Sequence, residues 1–154
     1  MSDKPATGLA ALEFLQSKSG LEIMRAMMAG QLPHPPIAGR LDYRLKQVEP
    51  GMVIFEGRAS EEFTNPMGTM HGGWYGTLLD SAMACAVTSL ADKSTHFTTL
   101  EYKVNLTRPF PLGETATATG RVLHFGRRTA YAEGKLTDAT DRVYAYSTTT
   151  CIRV

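Results

Sequence analysis

Between residues 74 and 90 the chain is apolar or small at almost every position, and a single charge, Asp80, interrupts it. A helix that is apolar around its whole circumference has to be enclosed on all sides. This stretch is therefore the predicted centre of the molecule, and the remaining elements are expected to cover it. A carboxylate among such neighbours loses hydration worth several kcal/mol unless something offsets the loss. Asp80 is thus a residue whose presence calls for a reason. A polar loop, Asn65-Pro-Met-Gly68-Thr-Met-His71-Gly72-Gly73, leads into the apolar run.

Length and charge limit what the cover can be. With 154 residues, 43% of them hydrophobic and 20% charged, the chain fits one globular domain. Sixteen basic against fifteen acidic residues give a formal net charge of +1, which supplies no global field for nucleic acid or an anionic membrane. Any anionic ligand has to be met locally. Cys85 and Cys151 lack C-x-x-C spacing and read as two buried free thiols, as suits a reducing cytoplasm. The N-terminus carries no signal-like pattern, and no apolar run reaches membrane-spanning length, so a cytoplasmic protein without membrane contact is expected. No two histidines have metal-site spacing; no metal and no cofactor are expected, and His34 and His96 read as surface residues.

Taken in order, residues 1–5 are expected to lack regular structure. From Ala6 onward Leu9, Leu12 and Leu15, then Leu21, Met24 and Met28, recur at helical spacing, with Gly20 as a break and Gly30 as a C-cap. The proline-rich segment at residues 31–37 reads as an extended connector. Residues 1–37 thus form a helical arm and connector, with Met24, Met27 and Met28 packing it onto the body at residues 38–154. In the body, Leu41, Tyr43 and Leu45 alternate with charged residues, and Glu49-Pro-Gly turns the chain into a second strand from Met52. Beyond the helix, Leu100, Tyr102, Val104 and Leu106 form one apolar face until Pro109 and Pro111 stop the strand. Three further strands follow, at residues 114–125, 129–137 and 142–154, through hairpin-like links. The fold class is α+β: an antiparallel sheet of about six strands wrapped around one long helix. A helix of about 18 residues spans about 27 Å, enough to lie across such a sheet. A second subunit is the natural cover for the helix's remaining side, and Trp74 and Tyr75 read as packing at that interface.

The loop before the helix carries the candidate chemistry. The first backbone N–H groups of a helix have no intrahelical partner, and the macrodipole there is positive. With Gly72 and Gly73 at that point a ligand can approach the backbone closely, and the Gly72 N–H is the candidate donor to a carbonyl oxygen becoming an oxyanion. Asp80, two turns later and expected to be desolvated, can activate water or attack the carbonyl itself. Asn65 and His71 can orient water or substrate.

The string from Asn65 to Gly73, with Asp80 seven residues further on, resembles the signature of hotdog-fold acyl-CoA thioesterases of the phenylacetate-degradation type. Similarity extends to Pro33–Pro36, Leu106-Thr-Arg-Pro, His124-Phe-Gly-Arg-Arg and Ser147-Thr-Thr-Thr. The resemblance implies a hotdog fold and hydrolysis of an aromatic or medium- to long-chain acyl-CoA. It implies Asp80 as nucleophile or general base, the Gly72 N–H as the carbonyl's polarising donor and Asn65 as a positioning group. These groups would meet across the interface of a homodimer, alone or within a dimer of dimers, with Trp74 and Tyr75 packing at that interface or in an acyl pocket. A hydroxyl from Thr98 or Thr99 would assist, the spacing to Pro109 favouring Thr99. The phosphates of CoA need cations; Arg127 and Arg128, beside His124 and Gly126, form the best cluster, ahead of Arg108 and Lys103. Two rivals exist. A hotdog enoyl-CoA hydratase would want a histidine on the helix, where this chain has none. A noncatalytic acyl-CoA-binding or sensing module would have no need to keep Asn65, Gly72 and Asp80 together.

Overall fold

The computed structural model describes residues 6–154, so the expectation for residues 1–5 lies outside the described residues. The arm consists of helices α1 (Leu12–Ser17) and α2 (Gly20–Met28). Helical structure starts at Leu12 rather than Ala6, because the chain at Thr7 forms a bridge with His34: the Gly8 N–H donates to the His34 carbonyl, and the His34 N–H to that of Ala6, each at 2.9 Å. Gly20 breaks the arm as the first residue of α2. Ser19 caps that helix in a reciprocal arrangement with Glu22. The connector is not extended throughout, since Pro36–Arg40 forms a short helix, α3, and proline is compatible with a first helical turn. His34 is buried, contrary to its reading as a surface residue. Of the three arm methionines, Met24 is buried, Met27 packs against the core and Met28 stays exposed.

Six strands form one antiparallel sheet: β1 (Tyr43–Glu49), β2 (Met52–Arg58), β3 (Phe97–Leu106), β4 (Thr115–Phe125), β5 (Thr129–Thr137) and β6 (Val143–Arg153). Their order is β1-β2-β4-β5-β6-β3. The link from β3 to β4 is therefore no hairpin, because the Pro109–Pro111 segment carries the chain from one sheet edge to an interior strand. The long helix, α4 (Gly72–Thr88), lies across the sheet. Its Leu78, Leu79, Ala82, Met83, Ala86 and Val87 are fully enclosed. Opposite them stand small residues, among them Ala116 and Ala118 on β4 and Ala130 and Ala132 on β5. Small side chains let the helix sit close: a Cβ on Gly120 would lie 2.3 Å from the Ala82 backbone. Each large apolar side chain so enclosed contributes about 1.5–3 kcal/mol.

The sheet covers one side of α4 only. Gly73, Thr77, Asp80, Ser81, Ala84, Cys85 and Thr88, spaced three or four apart, remain half-buried or exposed along one stripe. Trp74 and Tyr75 do not belong to that stripe. Both are core residues: the Trp74 indole donates to the Leu41 carbonyl at 3.2 Å, and the Tyr75 hydroxyl accepts from the Phe110 N–H at 2.7 Å. Strand β3 borders the open stripe. Its Tyr102, Val104 and Leu106 stand opposite Thr149, Ser147 and Ala145 of β6, which face α4, whereas a register shift between Thr99 and Glu101 throws Leu100 out of the alternation. Among the described residues, no helix is long and apolar enough to cross a membrane.

Candidate active site

The loop before α4 is tied to itself. The Asn65 side-chain oxygen accepts from the N–H groups of Met67 (2.9 Å) and Thr69 (3.3 Å), and its amide nitrogen donates to the Thr69 hydroxyl at 2.9 Å. Gly68, at φ +76°, takes the left-handed turn these bonds require. The loop closes as the His71 N–H donates to the Phe63 carbonyl at 2.8 Å. His71 is the N-cap of α4: its Nδ1 accepts from the Gly73 N–H at 2.9 Å, which assigns the ring proton to Nε2. A Cβ on Gly73 would come within 3.0 Å of that nitrogen, so a side chain there would displace the cap. The Trp74 N–H bonds to the His71 carbonyl at 3.0 Å. The Gly72 N–H has no partner among the described residues. It is a donor at the positive end of a 17-residue helix, beside the side chain of Leu106.

Asp80 is half-buried in the single chain, not deeply desolvated, because it lies on the stripe that the sheet leaves open. The Thr99 hydroxyl donates to its Oδ1 at 2.7 Å, while Oδ2 has no partner among the described residues. Thr98, its neighbour on β3, pairs with Ile152 and is exposed. Sequence reasoning missed the other flank. Ser81 donates to the Tyr43 hydroxyl at 3.1 Å, and burial pushes that hydroxyl above its ordinary range, so it stays protonated. The signal available was the alternation that points Tyr43 inward. Cys85 and Cys151 are both free thiols; burial, with the Asp80 charge second, pushes Cys85 up to about 12. Cys85 keeps some exposure, so only Cys151 is buried as expected.

The cationic hairpin lies at the far end of α4. Gly126 closes the β4–β5 turn, its N–H donating to the Thr129 carbonyl at 2.9 Å, and the His124 ring lies against it and 5.8 Å from that of Tyr131. Arg127 and Arg128 are exposed, and neither side chain has a partner among the described residues. The Arg153 N–H bonds to the Arg128 carbonyl at 2.8 Å, which brings a third arginine to this end from the last strand. Arg108 and Arg142 instead lie over the Tyr144 ring, each 5.9 Å from its centroid.

Gly72 and Asp80 are not brought together. Eight residues of helix separate them by about 12 Å along the axis. A donor and a carboxylate serving one carbonyl must both reach it at about 3 Å.

Comparison with known proteins gives the arrangement its lineage. The pattern of the thioesterase superfamily matches residues 67–145, which include Gly72, Asp80, Thr99 and the cationic hairpin. The chain belongs to the thioesterase superfamily. Within that superfamily, human acyl-coenzyme A thioesterase 13 is 32% identical over 102 residues, covering 66% of this chain and 72% of that protein. A phenylacetic acid degradation-related protein of Ralstonia eutropha superposes with a TM-score of 0.76 at 27% identity, covering 84% of this chain and 98% of its own. A Streptococcus mutans protein solved with acetyl CoA bound gives a TM-score of 0.68 at 26% identity, over 73% of this chain and 89% of that one. The six-stranded sheet around one long helix is the fold this superfamily member shares with those neighbours.

Proposed function

We propose that the protein hydrolyses an aromatic or medium- to long-chain acyl-CoA at a site built from two copies of the chain. Asp80 and Thr99 come from one copy, and Gly72 and Asn65 from the other. The observation that carries this reading is the separation of about 12 Å between an unpaired helix-terminal N–H and a carboxylate on the same helix of one chain. Neither group can complete the chemistry in its own chain. The uncovered stripe of α4 and the outer edge of β3 both border Asp80 and Leu106, the side on which a second copy would bring its own Gly72.

In such a site the thioester carbonyl oxygen accepts from the Gly72 N–H, and negative charge grows on that oxygen where the helix dipole favours it. Asp80, one oxygen held by Thr99, directs its free oxygen at water or at the carbonyl carbon. With water, the carboxylate takes the proton, hydroxide adds to the carbon, and the C–S bond breaks to release the CoA thiolate, which recovers the proton. With direct attack, an acyl-aspartyl anhydride forms and water hydrolyses it. In a single turnover in ¹⁸O water, an enzyme oxygen in the first acid released reports direct attack followed by hydrolysis of the anhydride at the aspartyl carbon. Arg127, Arg128 and Arg153 would meet the CoA phosphates.

The test is hydrolysis of a panel of aromatic and aliphatic acyl-CoA esters by wild type and Asp80→Asn, with release of free thiol as the readout. Wild-type turnover with loss of about a thousandfold or more in the folded variant is expected. Unchanged turnover in the variant would remove Asp80 from the mechanism; inactivity of the wild type on every ester would favour a binding module. Replacing Arg127 and Arg128 together should raise KM for CoA esters and spare esters of short thiols.

A further inference from the structure

Strand β3 runs beside the open stripe of α4 and touches it in turn with Thr99 at Asp80, Tyr102 at Gly76 and Leu106 at Gly72. Regular alternation would place Glu101 next after Thr99 on that face. The register shift between Thr99 and Glu101 places Tyr102 there instead, opposite Thr149, which is buried on the side of the sheet that faces α4. A bulge re-aims the side chains that follow it, and bulges are common beside active sites. Here it exchanges a carboxylate for a phenol ring, one helical turn from Asp80.

Gly76 is the other half of that arrangement. It is buried within α4, where glycine weakens a helix relative to alanine. A Cβ there would lie 3.2 Å from the Tyr102 hydroxyl oxygen and 3.3 Å from Cε2, tighter than ordinary contact. The glycine thus gives the ring a seat on the helix that a side chain would take away. Tyr102 nevertheless stays 45% exposed, so much of the ring faces the space along the open stripe. The order of residues along β3 shows what that space would hold. Phe97, at the start of β3, pairs with Arg153 and packs on Phe125 of the cationic hairpin, with ring centroids 5.1 Å apart. The hairpin and Tyr102 therefore lie on opposite sides of Thr99 and Asp80. In a thioester, sulfur and the acyl chain leave the carbonyl carbon in different directions. With CoA held at Arg127, Arg128 and Arg153, the acyl chain leads the other way, toward Tyr102, whose seat is about 6 Å along α4 from Asp80.

We propose, resting on the hydrolytic reading of Asp80, that Tyr102 is the specificity-determining residue of that site: its ring, seated on Gly76, walls the acyl pocket on the side away from CoA and sets the acyl length the site accepts. The experiment compares kcat/KM for hexanoyl-CoA and dodecanoyl-CoA in the full chain and its variants, with free thiol as the readout. Tyr102→Ala should raise the dodecanoyl-to-hexanoyl ratio about tenfold or more, whereas Tyr102→Phe, which keeps the ring, should hold the wild-type ratio. Tyr146→Ala, which removes an exposed tyrosine from the opposite face of the sheet, should hold it too. Should Tyr102→Ala fail to fold, Gly76→Ala keeps the tyrosine but lifts its ring off α4 into the cleft, and should lower the ratio. With an active wild type, an unchanged ratio in folded Tyr102→Ala, or in Gly76→Ala where that variant stands in, would overturn the proposal and leave the hydrolytic reading standing. So would an equal shift in Tyr146→Ala. Inactivity of the wild type on every ester would overturn both together.

Discussion

The two ends of α4 are finished differently. At its C-terminus, each of the last four carbonyls has a partner: Cys85 accepts from the Ser89 N–H, Ala86 from the Ser89 hydroxyl, Val87 from the Leu90 N–H and Thr88 from the Ala91 N–H. The Ser89 hydroxyl also accepts from the Gly51 N–H at 2.7 Å, and the Gly20 N–H reaches the Ala91 carbonyl at 3.1 Å. The positive end of α2 thus closes on the negative end of α4. At the N-terminus the Gly72 N–H is left without such a partner. An unpaired donor beside glycine, on the same helix as a carboxylate whose free oxygen faces the same open stripe, is what a site for a developing negative charge requires.

Three changes probe that asymmetry, from the largest expected effect to the smallest. Gly72→Pro removes the N–H while keeping a residue suited to the first helical turn, and the extended backbone of His71 tolerates a following proline. It should lower kcat by about a hundredfold to a thousandfold. Gly72→Ala, which keeps the donor and meets only the flexible end of Leu106 at 3.3 Å, should cost far less. Equal losses in the two would remove the donor role and with it the functional meaning of the open end. At the closed end, Gly20→Ala places a Cβ 1.9 Å from the Thr88 carbonyl oxygen. It should destabilise the chain by about 1–3 kcal/mol and expose the arm to limited proteolysis, with kcat per folded molecule little changed. A fall in kcat matching that of Gly72→Pro would mean that the two ends are not separable.

The smallest effect is alkaline. Burial raises the Cys85 thiol from 9.0 to about 12, so the folded chain holds the neutral form more firmly than the unfolded chain does. Stability should be unaffected below about pH 9 and should decline between pH 9 and 12, by at most about 1.4 kcal/mol per pH unit. Urea midpoints across that range should flatten in Cys85→Ala. An unchanged slope would show that Cys85 is not held away from water.

Much of this was readable in the chain. The apolar run interrupted by Asp80 marked α4, the alternating stretches marked six strands, and the spacing from Asn65 through Gly72 to Asp80 carried the resemblance to hotdog thioesterases. Local patterns of this kind report which face of an element is buried, because side-chain periodicity is set by backbone geometry. They do not report what an element is buried against. Hence the link from β3 to β4 read as a hairpin although those strands are not neighbours, and Trp74 and Tyr75 read as interface or acyl-pocket packing although Leu41 and Phe110 hold them in the core. His34 read as exposed because its burial comes from a bridge to Thr7, a pairing across 27 positions that no periodicity records. Pro36 read as part of an extended connector although it begins a helix, since proline fits either state.

By itself, then, the sequence determined the elements, the helix that must be enclosed and the residue types available for acyl transfer, because each follows from bonds and periodicities within a few residues. Only the tertiary structure decided that Thr99 holds Asp80, that His71 caps the helix and leaves Gly72 unpaired, and that Arg153 joins Arg127 and Arg128. Each of these depends on distances between segments far apart in the chain, which are set by how the sheet closes around α4.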